Sequence, residues 1–262
     1  MSNLTQAVWV ELLKARRSKM PLLTLLGFSL APLAGGFFMI VLKDPALARR
    51  MGMISAKAQI TVGAADWSTY LGMLGQAAAI GGFILFSLIG SWVFGREYSD
   101  QTIKDLLALP TPRFAIMLAK FILVMAWSAA LTAAIYLIGL GVGTAVGLPP
   151  APAGVLWHGT VTLAITAGLT IALVTPIAFC ASAGRGYLPA MGAAILAVIL
   201  AQVVAAAGWG EYFPWSIPAL FAGMAGPAYG PIGATSYAIV LLASLAGIVA
   251  TFVWWERADQ TH

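Results

Sequence analysis

The chain has 262 residues, of which 61% are hydrophobic and 9% charged, with a net charge of +5 and a mean hydropathy of +0.92. Soluble domains carry about 25% charged residues, so this composition excludes a water-facing globule and points to a bilayer as the solvent. In such a chain an excess of Lys and Arg records loop orientation, not an affinity for nucleic acid.

Residues 1–20 come first. Leu4, Val8, Leu12 and Ala15 recur at helical spacing, with Trp9 and Leu13 beside them, while Gln6, Lys14 and Arg17 fall elsewhere on the wheel. The pattern predicts an amphipathic helix lying in the membrane interface, with Trp9 at headgroup depth. An ordinary cytosolic helix is the alternative. A patterned stretch of this length before the first apolar run is not a secretory signal.

Six apolar runs follow at 21–42, 71–94, 113–146, 158–183, 187–207 and 233–255. Each meets the ~20 residues that a helix needs to cross a hydrocarbon core. The expected fold is an all-α integral membrane protein with six transmembrane helices in a single domain, 1–262. Basic loop residues set its direction. Lys14, Arg16, Arg17, Lys19, Arg96, Lys104, Arg113, Lys120, Arg185 and Arg257 fall on one side, and Lys43, Arg49, Arg50 and Lys57 on the other. Ten against four predicts both termini in the cytoplasm, with the basic first loop as the discordant feature.

Between the second and third runs lies a charged island, 95–113. Thr102 precedes Ile103, Leu106 and Leu107, which share one helical face, and Asp105 makes a capping-box variant with Thr102. Pro110 stops the helix, and Thr111-Pro112 reads as a new cap with proline at the first position. The prediction is a short helix, a corner, and the foot of span three. A helix this short needs something to pack on, either its own bundle or a soluble partner.

Farther along, Gly139, Gly143 and Gly147 on span three form two Gly-x-x-x-Gly steps, which permit close approach inside the bundle or across a dimer seam. Thr162, Thr166 and Thr170 form an i, i+4, i+8 stripe on span four. It either faces a translocation path or bonds back to its own helix. Thr175-Pro176 predicts a kink there. Cys180 is the single cysteine, which rules out an internal disulfide, and reads as a packing residue. Residues 208–232 carry no basic residue but hold Trp209, Tyr212, Phe213, Trp215, Phe221 and Tyr229 with four prolines. This segment is too broken for a span and reads as re-entrant or interfacial, with its aromatics at headgroup level.

Phe94, Glu97, Thr102, Leu106, Pro110 and Arg113, followed by Leu118-Ala119-Lys120, together resemble the first cytoplasmic loop of type-2 ABC exporter permeases. Residues 11–18, with Glu11, Lys14, Arg16 and Arg17, resemble that family's amphipathic N-terminal helix. Residues 212–218 resemble a segment after span five in its small bacitracin-resistance-type permeases. The resemblance implies a membrane permease in the bacterial or archaeal cytoplasmic membrane. It would pair with a second permease, as a homodimer, and with two copies of a separate ATP-binding subunit that carries ATP and Mg. The island would be a coupling helix. Ile103, Leu106 and Leu107 would supply apolar contact to the ATPase, while Glu97, Lys104 and Arg113 would orient the loop by charge pairing. The 208–232 segment would cap the exit, where Phe213 and Trp215 touch a hydrophobic drug or peptide antibiotic. Headgroup anchoring is the plainer role for those two aromatics.

Certain chemistries are missing. No lysine follows a glycine anywhere, so no phosphate-cradling P-loop is present, and the chain is not expected to be an enzyme. The predicted spans hold no carboxylate in their cores, which weighs against an ion-coupled stand-alone carrier or channel. A non-transporting immunity or assembly protein is the third class. His158 has no companion at metal-ligand spacing and reads as an interfacial residue, not a metal or catalytic one.

Overall fold

The computed structural model describes residues 3–44, 64–103, 111–226 and 230–257. All regular structure among them is helical. A short helix, α1 (Asn3–Arg16), precedes six helical stretches long and apolar enough to cross a membrane. Span one is α2 (Met20–Lys43). Span two joins α3 (Trp67–Ala77), a π-turn (Ala78–Gly82) and α4 (Phe83–Ser99). Span three is α5 (Arg113–Ala145). Span four joins α6 (Ala153–Ala172) to α7 (Thr175–Ala183). Span five is α8 (Tyr187–Ala206). A short helix, α9 (Ile217–Phe221), precedes span six, α10 (Ala234–Arg257).

Span two starts earlier than hydropathy suggests because Asp66 caps it, accepting the Thr69 amide hydrogen at 2.8 Å. Its small-residue stretch Ala78–Gly82 widens into the π-turn, a bulge that often marks functional sites. Span four breaks where Pro176 lacks a backbone donor, in the first turn of α7. Thr175 Oγ1 donates across the break to the carbonyls of Ala172 (3.0 Å) and Ser244 (2.7 Å). Gly247 of α10 sits directly against the Thr175–Pro176 backbone, where a Cβ would collide.

Lipid is as apolar as leucine, so these helices associate through shape and small residues and not by escape from water. Phe28 meets Phe86 edge to face at 5.6 Å, and Phe94 tilts over Phe121 at 4.8 Å. The glycines of span three pack inside the bundle: a Cβ on Gly139 would lie 2.6 Å from Leu74, and one on Gly143 2.5 Å from Trp67. Gly147 is off the helix, with φ +71°, and ends it. The outward faces of α2, α8 and α10 are apolar and exposed, among them Leu26, Leu30, Ile195, Ile199, Leu241 and Leu245. These faces suit lipid or a neighbouring subunit.

The spans alternate in direction. One end of the bundle, the near end, collects α1, the turn after α4, the α7–α8 turn and the last turn of α10. The far end collects the remaining loops. There Lys43 donates to the carbonyls of Val146 and Gly147 at the C-terminus of span three, so this cation caps a helix. Residues 207–226 form a folded hairpin of two 3-10 turns and α9. Ser216 Oγ ties it by donating to the carbonyls of Gly210 and Phe213, and Ser236 Oγ binds it to span six through the Glu211 carbonyl at 3.0 Å.

Candidate functional site

The near end is where charge enters the bundle. Helix α1 turns Glu11 and Ala15 inward and leaves Trp9 and Arg16 exposed, with Arg17 exposed just after it; Leu12 and Leu13 are exposed too, so the buried face is not the apolar stripe that the spacing predicts. Glu11 does not face water. It is 3% exposed, as is Glu97 near the end of α4, and Lys120 of α5 is 0% exposed.

These three meet with Lys14 in one cluster. Lys120 Nζ donates to Glu97 Oε1 at 2.8 Å, to the Val93 carbonyl at 2.8 Å and to Glu11 Oε2 at 3.3 Å. An ammonium has three hydrogens, and each finds an acceptor. Lys14 Nζ donates to Glu11 Oε1 at 2.7 Å and Glu97 Oε1 at 3.1 Å. Burial works against the charge on Lys14, but the Glu11 and Glu97 carboxylates outweigh it and hold its pKa above the ordinary lysine value. Two carboxylates and two ammoniums balance, as buried ions must. The result ties α1, the end of span two and the start of span three into one unit.

The turn leaving span two is a Schellman motif. Thr102 N donates to the Glu97 carbonyl at 2.9 Å and Gln101 N to the Tyr98 carbonyl at 3.3 Å. Its left-handed position is Gln101, with φ +58°, where glycine is usual. The α7–α8 turn repeats the motif with Arg185 at φ +52°. The two turns adjoin, since a Cβ on Gly95 would lie 2.8 Å from the Gly186 carbonyl carbon. Arg113 Nη1 donates to the Trp255 carbonyl at 3.0 Å, at the C-terminal end of span six. Trp255 Nε1 in turn donates to Ser182 Oγ at 3.0 Å.

The predicted site residues therefore divide. Glu97, Glu11 and Lys14 come together, and Lys120 joins them. Glu97 takes its cations from α1 and span three, and Arg113 binds a carbonyl instead. Ile103 is buried against Met117 and Trp255 of its own bundle, which withdraws it from any external contact. Thr102 is exposed. Lys104, Leu106, Leu107 and Pro110 lie outside the described residues. Of the threonine stripe, Thr166 and Thr170 are buried and donate to the carbonyls of Thr162 and Thr166, each at 2.7 Å. Thr162 instead lines a far-end cavity. Phe213 and Trp215 pair at 5.5 Å in the hairpin, and Trp215 lines a cavity of about 340 Å³ beside the π-turn and α8.

Sequence reasoning placed Lys120 among the loop cations. The available signal was its depth, seven residues into a span otherwise built for lipid, since a cation there demands partners.

The family model described as ABC-2 family transporter protein matches residues 7–202, which takes in the ion cluster and the turn after span two. A bacitracin transport permease protein of Bacillus licheniformis is 28% identical over 179 residues, covering 68% of this chain and 85% of that protein. No solved structure matches the chain. With most of its length inside the family match and six helices of membrane-crossing length, the chain belongs to the ABC-2 transporter family, as a multi-pass permease of a kind that associates with an ABC ATP-binding subunit.

Proposed function

We propose that this permease exports an amphipathic or hydrophobic compound, a drug or peptide antibiotic, and is moved by a separate ATP-binding subunit that grips the turn between spans two and three. The carrying observation is the cluster that brackets this turn. Glu97 precedes it, Lys120 follows it, and the two are bonded within the bundle. A displacement of the turn is then felt at once by span two, span three and α1. ATP binding does work only if it favours one arrangement of the spans, and a rigid joint at this point meets that need.

The exposed apolar faces of α2 and α8 suit a second copy of the chain, giving a homodimer with two ATPase subunits that hold ATP and Mg. Both termini then lie in the cytoplasm, with the membrane a bacterial or archaeal cytoplasmic one. Lys43 fits this orientation, because its role as a helix cap removes one cation from the discordant first loop.

The test is co-purification from mild detergent with the product of an adjacent gene that carries a Walker motif. Recovery of that subunit and ATP-dependent efflux of a hydrophobic peptide are expected. A chain that purifies alone and transports down an ion gradient without nucleotide would refute the reading.

A further inference from the structure

A second cavity opens at the far end, between the start of span two, the start of span four, the hairpin and the start of span six. Its volume is about 650 Å³, within the ~300–1,000 Å³ usual for ligand pockets. Four polar side chains line it: Ser68 of α3, His158 and Thr162 of α6, and Tyr237 of α10. Among the described residues none of the four side chains makes a hydrogen bond within the chain. That sets Thr162 apart from its neighbours Thr160, Thr166 and Thr170, whose hydroxyls all bond back to their own helix. No Asp, Glu, Lys or Arg lines the cavity among the described residues. The remaining wall is apolar and includes Leu71 and Phe221, with Phe221 set edge to face against Tyr237 at 6.2 Å.

From these features we infer that the cavity is a binding site for an uncharged amphipath rich in hydrogen-bonding groups, namely a short apolar stretch of peptide. No carboxylate, ammonium or guanidinium among the described lining residues would answer a charged group, which would give up part of its hydration there. A bare hydrocarbon would cover the half-buried Thr162 and Tyr237 hydroxyls and leave them unpaired. Peptide units present both donors and acceptors without net charge, and small apolar side chains fit the Leu71 and Phe221 walls. Thr162 lies nine residues into α6, so the site reaches about 13 Å inward from the start of that helix. Gly72 and Gly154 line the site on opposing helices, and a Cβ on either meets nothing within 4 Å. This leaves free volume that the protein could have filled at no steric cost.

The inference names a cargo-contact site for the transport reading above, but binding is measured without the ATPase. The chain in lipid nanodiscs is titrated with an end-blocked, dansyl-labelled Leu-Ala-Leu-Leu amide, with empty discs as the blank. Saturable binding is expected. It should weaken tenfold or more in Gly72→Leu, which fills the cavity, and severalfold in Thr162→Val, which removes only a hydroxyl. Gly154→Leu, from the other wall, provides a second filled cavity should Gly72→Leu lower the melting temperature. Binding that does not saturate, or that persists unchanged in both filled variants, would overturn the site. So would displacement of the peptide by a photoreactive diacylglycerol that crosslinks to the cavity, because the site would then be a lipid seat. ATP-driven efflux of the peptide, undiminished in Gly72→Leu, would sink the site and spare the transport reading. Binding by a chain that never recruits an ATPase would do the reverse.

Discussion

Lys120 and Glu97 meet at 2.8 Å in the interior of the bundle, 23 residues apart in the chain and on opposite sides of the turn that joins spans two and three. Glu11 and Lys14 of α1 complete the charge balance.

Removing one member of a buried ion pair costs about 3–5 kcal/mol, because the partner stays buried and uncompensated. Lys120→Met should therefore strongly lower the melting temperature in detergent, leaving Lys14 to answer two carboxylates. Adding Glu97→Gln restores a balanced Glu11–Lys14 pair. The double variant should melt above the single, and equal or lower melting would show that the cluster is not coupled.

Gly247→Ala pushes a methyl group into the Thr175–Pro176 backbone. Overpacking of this kind costs about 1–3 kcal/mol. Gly168→Ala, with nothing within 4 Å of its Cβ, should be neutral or up to about 1 kcal/mol stabilising in a helix. Thermal melts of the two variants side by side separate a tight crossing from a general intolerance of change.

Gln101 occupies a left-handed position that costs an ordinary residue roughly 1–2 kcal/mol. Gln101→Gly should relieve much of that and raise the melting temperature. A fall would mean that the Gln101 side chain contributes more than its backbone geometry costs.

Leu107→Asp should reduce both ATPase co-purification and transport while leaving membrane insertion intact. Loss of insertion, or full retention of both activities, would remove this turn from the proposed contact.

The contribution of Lys14 depends on alkali. A base whose pKa is raised on folding stabilises fully below its ordinary value, 10.5, and loses that contribution as the pH climbs through the raised value. The melting-temperature gap between the parent and Lys14→Met should stay constant between about pH 7 and 9 and close only above about 10.5. A gap that closes near neutrality would place the titration on another group.

Six spans, a helix before them and the broken segment after span five were legible in the order of the residues. Apolar run length, helical spacing, and Pro and Gly punctuation are local quantities, and lipid enforces them along the chain. The island between spans two and three was read as a short helix and a corner at Pro110, and the left-handed turn at Gln101 that ends α4 was not foreseen, because Gln carries no such signal. Partnership was a matter of tertiary structure. Nothing local says that Glu97 takes its cations from α1 and span three while Arg113 caps span six, or that Gly139 and Gly143 receive Leu74 and Trp67 of the same chain. Those choices belong to packing, where a buried ion must find its counter-charge and a missing side chain must find something to fill its place.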